Sequence, residues 1–305
     1  MLKPELLQTF IRVNELASFT LAAEQLGLPR STVSEQVRAL ENQLGARLFN
    51  RSTRRVQATQ DGLQLYERSK ELLSRLEELE GLFRADPADV SGCLRVDLPT
   101  RMARRIILPR LPEFMDRHPG LTLEVSCTDR QVDLLREGFD CVLRIGGLGD
   151  LAVVARPLGR LAVVNCASPA YLERYGTPAS LADLQDHRLV HYVQNLGTRS
   201  AGFEYQDGEV TRFVEMPGAI TANNTDAYES AGLAGLGIIQ APLIGVRDYL
   251  AAGRLQAFLP EHVPEAMPVS LLYARQRYLP PRVRLFMDWL AGLLAEQLDP
   301  VADAG

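Results

Sequence analysis

Residues 19–62 read FTLAAEQLGLPRSTVSEQVRALENQLGARLFNRSTRRVQATQDG, and they contain closely spaced signals for short helices. Thr20 is predicted to cap the first of these helices, and the Gly-Leu-Pro sequence at 27–29 breaks it with a tight turn. A second helix is predicted to be capped by Ser31 or Thr32, and a glycine follows its last turn. Two short helices joined by a tight turn predict a helix-turn-helix.

The second helix of this pair exposes a polar face that suits DNA. Away from its apolar positions it carries short hydrogen-bonding side chains and cations close to its N-terminus. Such groups fit phosphate contacts and base-edge readout in a major groove. A solvated helix face without a partner is the alternative interpretation. The candidate DNA-binding residues on this face are Arg30, Ser31, Thr32, Ser34, Glu35, Gln36 and Arg38.

An arginine-rich segment follows, and its pattern predicts a two-stranded wing. Residues 47–55 contain four arginines and directly follow the second helix, which is the predicted recognition helix. Arg54 and Arg55 are therefore candidates for a phosphate clamp or for insertion into a minor groove. A surface charge run that contacts nothing is the alternative.

The whole segment is very similar to the winged helix-turn-helix of LysR-type transcriptional regulators. The matching elements keep a fixed register and are Ser18-Phe19-Thr20, Ala22-Ala23, Ser34, Leu40-Glu41, Leu44-Gly45, Leu48-Phe49, Arg51, Thr53-Arg54 and Thr59…Gly62. The resemblance implies DNA contacts by Arg30, Ser31, Thr32, Ser34, Gln36 and Arg54, with phosphate contacts by Thr20 and Arg38.

Glu35 departs from this family pattern, which often has a basic residue at that position. A carboxylate repels phosphate, but it can accept a hydrogen bond from a cytosine amino group. We therefore hypothesise that Glu35 shapes the sequence preference.

The connector after the wing carries an apolar seam at heptad spacing. Leucines, one serine and one phenylalanine recur at intervals of four and three over residues 65–83, and no Gly or Pro interrupts 63–80. A second copy of the chain is the expected partner for this seam, while packing on the chain's own second domain is the alternative. The helix is predicted to end near residue 84. The dimerisation candidates are Leu65, Leu72, Leu76, Leu79 and Phe83.

Charge is distributed unevenly along the chain. The net charge is −5, but residues 1–60 hold eight Lys/Arg against five Glu, a net of +3. The remaining 25 basic and 33 acidic residues give −8. A basic head on an acidic body is expected when only one domain meets phosphate. Four scattered cysteines without a CxxC pair argue against a zinc site and a disulfide framework, and they suit a reducing cytoplasm. We see neither a signal peptide nor a membrane span, so we expect a cytoplasmic location.

From residue 93 onward, strand and helix patterns alternate, which implies mostly parallel α/β sheets. Helices are predicted over 101–117, 132–137 and 282–297. The phrases DLLREGFDCVLRIGGLGD, ARPLG, ASPAYLERYGTP and NNTDAYESAGLAGLGI resemble the effector-binding domain of the same family. That resemblance implies two α/β lobes of the periplasmic-binding-protein type, with a small-molecule effector in the cleft between them.

The predicted fold is therefore an α + α/β chain in three parts. Residues 1–60 form the winged helix-turn-helix, 61–86 the linker helix, and 92–300 the effector-binding domain. Lobe one comprises 92–161 with 268–300, and lobe two comprises 162–267.

Several side chains at strand ends and helix starts are candidates for effector binding. Thr100 can donate its hydroxyl to a ligand beside free backbone N–H groups, or it can cap its own helix. Arg144 can neutralise a ligand carboxylate, or it can pair with Asp129 or Asp140. The effector-binding candidates are Thr100, Arg101, Thr128, Arg144, Asn223 and Asn224.

Two other classes of function compete with the regulator. An enzyme is disfavoured because there is no nucleophile elbow, HExxH, Walker loop or dinucleotide fingerprint, so no catalytic residue, metal or cofactor is predicted. A cytoplasmic small-molecule-binding protein that uses its head only to oligomerise is the other alternative. For the regulator, the expected partners are a double-stranded dyad operator, a small-molecule effector and a second copy in a homodimer. The resemblance implies a homotetramer, and RNA polymerase is a further partner if the protein activates transcription.

Overall fold

Three helices and a two-stranded wing form the N-terminal head. The computed structural model describes residues 2–52, 55–81, 90–147, 153–275 and 279–300. The head contains helices α1 (Pro4–Leu16), α2 (Phe19–Leu26) and α3 (Arg30–Leu44) and the antiparallel strands β1 (Phe49–Ser52) and β2 (Arg55–Ala58). The predicted winged helix-turn-helix is confirmed.

The predicted cap of α2 is wrong. The capping residue is Ser18, whose side-chain oxygen accepts a hydrogen bond from the N–H of Leu21 at 3.3 Å. Ser18 has extended backbone (φ −154°), whereas Thr20 already lies inside the helix. The cap falls two residues earlier than predicted because the residue just before the first helical turn takes this role.

The predicted cap of α3 is also wrong. The helix begins at Arg30 directly after Pro29, so Ser31 and Thr32 lie within its first turn. No side chain caps this end, and Pro29 instead fixes the extended backbone that precedes the helix. Gly45 has a left-handed backbone (φ 66°) and ends the helix as predicted.

An apolar core holds the head together. Phe10 is fully buried, and its ring lies 5.4 Å from that of Phe49 between centroids. Ala22 and Ala23 are buried where α2 packs closely on its neighbours. The buried core consists of Leu7, Phe10, Val13, Ala22, Ala23, Val33, Val37, Leu40, Leu48, Phe49 and Tyr66.

The linker helix α4 spans Gln60–Gly81 and packs its first turns on the head. Leu65 is half-buried against the head core, Ser69 is buried, and Leu72 is 51% exposed. The seam therefore begins on the chain's own head and turns to solvent further along the helix. For Leu79 only the backbone is described, and Phe83 and the predicted helix end near residue 84 lie outside the described residues.

Lobe one contains a five-stranded mixed sheet. Its strands run in the order β4 (Leu121–Cys127), β3 (Gly92–Leu98), β5 (Cys141–Ile145), β14 (Met267–Ala274) and β6 (Val153–Leu161). Only the pairs β3–β4 and β3–β5 are parallel, whereas β14 is antiparallel to both neighbours. The expectation of a mostly parallel sheet is wrong because β14 enters the sheet from lobe two.

Two helical segments cover lobe one. Helices α5 (Thr100–Met102) and α6 (Leu108–Arg117) are joined by a π-turn at Ala103–Ile107, and together they form the predicted helix over 101–117. The last helix of the chain, over Pro281–Leu294, also packs on lobe one.

The predicted helix over 132–137 is absent. These residues form turns, in which the N–H of Glu137 donates to the Asp133 carbonyl oxygen at 2.8 Å. Gly138 has a left-handed backbone (φ 73°), so a single helical turn ends before it can propagate. An apolar pattern this short does not distinguish a helix from a turn.

Lobe two is built around small sheets. Strand β7 (Val163–Ala167) lies between β12 (Ile239–Pro242) and β13 (Gln256–Ala257), and all of these pairs are antiparallel. Strand β8 (His191–Tyr192) pairs in parallel with β11 (Thr221–Ala222), and β9 (Phe203–Asp207) forms a hairpin with β10 (Val210–Val214). The helices that complete the domain are α7 (Pro169–Tyr175), α8 (Thr225–Leu233), α9 (Leu243–Ala251) and α10 (Pro281–Leu294), of which α10 packs on lobe one.

The chain crosses between the lobes twice, near residues 162 and 266, so lobe two is inserted within lobe one. Within the described ranges, none of the helices combines the length and apolar composition that a bilayer crossing requires.

Candidate functional site

The polar face of α3 is open to solvent. Exposed and half-buried side chains alternate along this face. Gln36 is tied to α1, because its Oε1 accepts a hydrogen bond from the Thr9 hydroxyl at 2.5 Å. Its amide group is then the donor available to a groove. Exposed members of the predicted set are Thr20, Arg30, Ser31, Glu35 and Arg38, and half-buried ones are Thr32, Ser34 and Gln36.

The wing is fixed to the head by two side chains that sequence reasoning did not single out for this purpose. Glu41 Oε1 accepts hydrogen bonds from the N–H groups of Leu48 (2.9 Å) and Phe49 (3.4 Å). Thr59 donates its hydroxyl to the Arg47 carbonyl oxygen at 2.7 Å. These bonds hold the base of the wing beside α3. Arg54 lies outside the described residues, and of Arg55 only the backbone is described.

Gly62 explains why the motif closes on a glycine. A Cβ at this position would lie 2.2 Å from the carbonyl oxygen of Leu48, which is closer than any side chain can approach. The first turn of α4 can therefore pack on the start of the wing only with glycine here.

A cavity of about 460 Å³ lies between the two lobes. Of the effector-binding candidates, Arg101, Thr128 and Arg144 line it. Thr100 is the first residue of α5, and Pro99 holds the N-cap position, so the predicted capping role of Thr100 is wrong. The backbone N–H of Thr100 donates to Asp129 Oδ1 at 2.9 Å.

The two asparagines of lobe two do not line this cavity among the described residues. Asn224 caps α8, since its Oδ1 accepts from the N–H of Ala227 at 2.8 Å, and Asn223 is exposed. The structure brings the next residue, Thr225, to the cavity instead. Further lining residues that sequence reasoning missed are Asp129, Tyr192, Glu204, Tyr228 and Glu229.

Arg144 is the buried cation of the cavity. It is 6% exposed, and its Nη1 donates to the carbonyl oxygen of Arg130. Its Nη2 is buried and has no hydrogen-bond partner. Burial lowers the pKa of Arg144, and the nearby carboxylates of Asp97 and Asp129 oppose this shift. The hydrogen bonds of Arg144 therefore leave one guanidinium nitrogen open.

The two pairings considered for Arg144 are not formed. Asp140 Oδ2 accepts from the backbone N–H of Arg95 at 2.8 Å, and Asp129 bonds to threonines on both lobes. Asp97, which is fully buried, accepts from the Thr128 hydroxyl at 3.0 and 3.1 Å. Burial raises the pKa of Asp97. Because the Thr128 hydroxyl donates its hydrogen to Asp97, it can only accept a hydrogen bond from a ligand.

Charged and polar bonds join the two lobes beside the cavity. Asp129 Oδ2 accepts from both the N–H (2.6 Å) and the hydroxyl (2.8 Å) of Thr225. Arg101 Nη1 lies 2.8 Å from Glu229 Oε2, and Arg101 also donates to the Gly245 carbonyl oxygen. We call the four side chains of Asp129, Thr225, Arg101 and Glu229 the interlobe clamp.

Glu229 is the most strongly perturbed acid of the clamp. Its side chain is 2% exposed, and burial raises its pKa to about 7, although Arg101 pulls in the opposite direction. Asp226 adds to the rise, while Arg104 and Arg105 oppose it. No group of three or more potential metal-binding side chains occurs among the residues that the structure describes.

Two family models together cover nearly the whole chain. One, described as "Bacterial regulatory helix-turn-helix protein, lysR family", matches residues 4–63. The other, described as "LysR substrate binding domain", matches residues 87–295.

Individual relatives align over almost their full length. YhjC, an uncharacterized HTH-type transcriptional regulator of Escherichia coli (strain K12), is 50% identical over 293 residues, covering 96% of this chain and 98% of the relative. An HTH-type transcriptional repressor of Pseudomonas aeruginosa (strain UCBPP-PA14) is 37% identical over 298 residues, covering 96% and 94%. The structure of CrgA, a LysR-type transcriptional regulator from Neisseria meningitidis, aligns with a TM-score of 0.59 at 28% identity, covering 96% of this chain and 99% of that one.

Proposed function

Because this chain belongs to the LysR family of bacterial transcriptional regulators, we propose that a small organic acid bound between its lobes controls how it binds DNA. The observation that carries the proposal is the buried guanidinium of Arg144, which lines the cavity with one nitrogen unpaired. Leaving a buried charged donor unsatisfied is costly. A carboxylate is the ligand group that satisfies this donor with a charge-assisted hydrogen bond.

The other charges around the cavity are already engaged. Asp97 is bonded to Thr128, Asp129 to Thr225, and Glu229 to Arg101. Burial also raises the pKa of the lining carboxyl of Glu204, which favours its neutral form. Arg101 also has a buried nitrogen, Nε, without a hydrogen-bond partner, but its charge is paired with Glu229. Arg144 forms no ion pair with the described residues and is therefore the charge left for the ligand.

Apolar side chains form much of the remaining wall, so the expected effector is a carboxylate on a compact apolar body. The cavity volume lies in the range usual for small-molecule sites. The apolar wall residues are Met102, Ile145, Leu161, Val163, Leu189, Ile244 and Met267.

The DNA contacts follow from the exposed face of α3. In this proposal Ser34, Gln36 and Glu35 read base edges, while Arg30, Arg38 and the arginines of the wing contact phosphate or a minor groove. The basic charge of the head supports this division of roles, because the acidic effector-binding domain would be repelled by the duplex.

Dimerisation through α4 would place two heads on a dyad operator. Leu72 is 51% exposed and Leu76 is half-buried, which is an apolar surface that a second α4 would cover. A homotetramer and a contact with RNA polymerase extend this proposal. We expect no turnover of the effector, and we place the protein in the cytoplasm because its DNA target lies there.

The first test is binding of the full-length protein to its own upstream DNA at two salt concentrations. Arg54→Ala should weaken binding to all sequences and reduce the salt dependence, whereas Ser34→Ala should weaken binding selectively. Unchanged sequence selectivity in Glu35→Ala would contradict its role in base readout. Absence of specific binding, even after selection from genomic fragments, would favour the alternative of a small-molecule-binding protein.

The effector class is tested with aliphatic and aromatic carboxylates beside their neutral amides. A fitting carboxylate should raise the Tm and change the DNA affinity, while its amide should do neither. Arg144→Met should abolish the response, and Arg156→Met, which removes a partly exposed arginine of β6, should keep it. Equal responses to acids and amides would refute the acid as effector.

A further inference from the structure

The head rests against lobe one of its own chain. The hydroxyl of Tyr66, on α4, lies 3.2 Å from Glu15 Oε1 of α1 and 3.5 Å from the carbonyl oxygen of Leu135 in lobe one. Glu15 Oε2 lies 4.0 Å from Arg95 Nη1 on β3. The approach is close, because a Cβ at Gly138 would lie 3.0 Å from the Glu15 carboxyl carbon.

This contact is specific because it buries a charge. The Glu15 side chain is 7% exposed, and its neighbours are Arg12, Tyr66, Lys70 and Arg95. A buried carboxylate is tolerated only where cations and hydrogen-bond donors surround it. Arg95 comes from lobe one, so the environment of Glu15 is complete only when the head is docked.

The segment that receives the head also forms one wall of the interlobe cavity. At its start, Thr128 and Asp129 line the cavity, and the carbonyl oxygen of Arg130 accepts the hydrogen bond from Arg144 Nη1. We call residues 128–139 the docking segment. Its last residues, around Leu135 and Gly138, lie under the head.

An ion pair braces the middle of the docking segment. Arg130 donates to both carboxylate oxygens of Glu137, at 2.9 and 2.6 Å. Glu137 Oε1 also accepts from the N–H of Asp133 at 3.1 Å, and the carbonyl oxygen of Glu137 accepts from Arg95 Nη1 at 3.4 Å. The cavity end and the head end of the segment are thus connected through hydrogen bonds rather than only through the chain.

We propose that the docking segment transmits the state of the interlobe cavity to the head by changing how the head docks on lobe one. The proposal rests on the proposed function for its biological meaning, since it concerns the regulation of that same cavity. An effector bound to Arg144 changes the hydrogen bond that Arg144 donates to the Arg130 carbonyl oxygen. The ion pair between Arg130 and Glu137 carries the resulting displacement of the backbone to Leu135, which contacts Tyr66. The free energy of docking the head on lobe one must then differ between the effector-bound and the effector-free cavity, which is the condition for coupling.

The test is amide hydrogen exchange in the full-length protein without DNA or effector. Glu137→Gln should speed exchange in residues 130–139 by about two- to fivefold, the range expected for loss of a partly exposed ion pair. It should also speed exchange in residues 10–16 of α1. The matched control is Glu113→Gln, which removes an exposed two-bond pair with Arg110 on α6 and should leave the head unchanged.

Tyr66→Phe tests the contact from the other side. Coupling free energies are reciprocal, so losing the hydroxyl should speed exchange at residues 133–138 by a similar factor. Arg144→Met should speed exchange in residues 10–16 of α1 from the cavity end. If that variant does not fold, Asp129→Asn perturbs the same end and replaces it.

The proposal is overturned if Glu137→Gln leaves 130–139 unchanged, or loosens that segment without affecting α1. It is also overturned if Tyr66→Phe leaves 133–138 unchanged, or if the cavity variant does not reach α1. If DNA binding still responds to organic acids alongside any of these results, only the role of the docking segment is refuted and the proposed function stands. If the exchange effects occur as expected but DNA binding does not respond to organic acids, the coupling stands and the proposed function is refuted.

Discussion

The head keeps Phe10, Val33 and Leu40 in one dry apolar core, whereas the two lobes meet beside their cavity through hydrogen bonds and the Arg101–Glu229 ion pair. Burial of apolar surface is non-directional and independent of pH. The interlobe clamp depends on geometry, ionisation and access of competing polar groups.

The difference indicates which part of the molecule can change state. No effector can replace the contacts of Phe10 without unfolding the head, so the recognition helix is presented on a constant body. A ligand with an acid group can compete for donors between the lobes at modest cost. The cleft is therefore the region expected to respond to ligand, and the head the region expected to be moved as a unit.

Phe10→Ala should have the largest effect. Removing a fully buried phenylalanine costs about 3–5 kcal/mol through lost burial and the cavity left behind. Calorimetry should show early unfolding of the head and loss of DNA binding, with the transition of the effector-binding domain retained. Phe213→Ala, at a side chain that is 50% exposed, is the control and should change little. A single cooperative loss of both domains would show that the head is not an independent body.

Asp129→Asn should weaken the interlobe clamp. The change removes charge from three hydrogen bonds, two of which come from Thr225 across the cleft, and we expect a loss of about 2 kcal/mol in the free energy of unfolding. Denaturant unfolding of the effector-binding domain measures it. Asp116→Asn on the exposed face of α6 is the matched control. Equal midpoints for the two variants would mean that the clamp does not stabilise the closed lobes.

Ser18→Ala tests the helix cap within the head. Loss of the bond to the Leu21 N–H should cost about 1 kcal/mol, whereas Thr20→Ala should leave the free energy of unfolding almost unchanged. Thr20→Ala is instead expected to lower DNA affinity. Thermal unfolding and a gel-shift assay separate the two effects, and equal destabilisation by both variants would contradict the assignment of the cap.

The pH dependence of the clamp should come from Glu229. Because burial raises the pKa of Glu229 to about 7 from its ordinary 4.5, folding favours the protonated form. The stability that this group contributes is fully present below its unfolded pKa and is lost as pH rises through the folded one. Relative to Glu229→Gln, the wild-type free energy of unfolding should therefore fall between about pH 4.5 and pH 7. Parallel pH profiles for the two proteins would rule out this titration.

The head could be predicted from the sequence because its signals are local. Gly27 and Gly45 end helices within the stretch that they punctuate, and the apolar spacing of Val33, Val37 and Leu40 identifies the buried face. The predictions of the two N-caps in the same stretch were wrong because Ser, Thr and Pro compete for positions one or two residues apart.

The cleft could be predicted only in part, because its partners are distant in sequence. Arg101 and Glu229 lie far apart in the chain, and nothing near either residue indicates the other. Thr128 and Arg144 could be chosen from the rule that ligands bind at strand ends. The N-cap signal at Asn224 identified the helix start, but it did not show that Thr225 rather than the two asparagines lines the cavity.

The position of β14 between β5 and β6 has a consequence for synthesis of the protein. Two strands made early cannot complete their sheet until the chain has passed through the whole of lobe two and returned. Until residue 274 has left the ribosome, the nascent chain carries two open strand edges beside apolar side chains, a known route to aggregation. A premature stop before residue 281 would therefore remove the helix that closes lobe one, and a stop before residue 267 would remove the strand as well, leaving an intact DNA-binding head attached to a body that cannot fold.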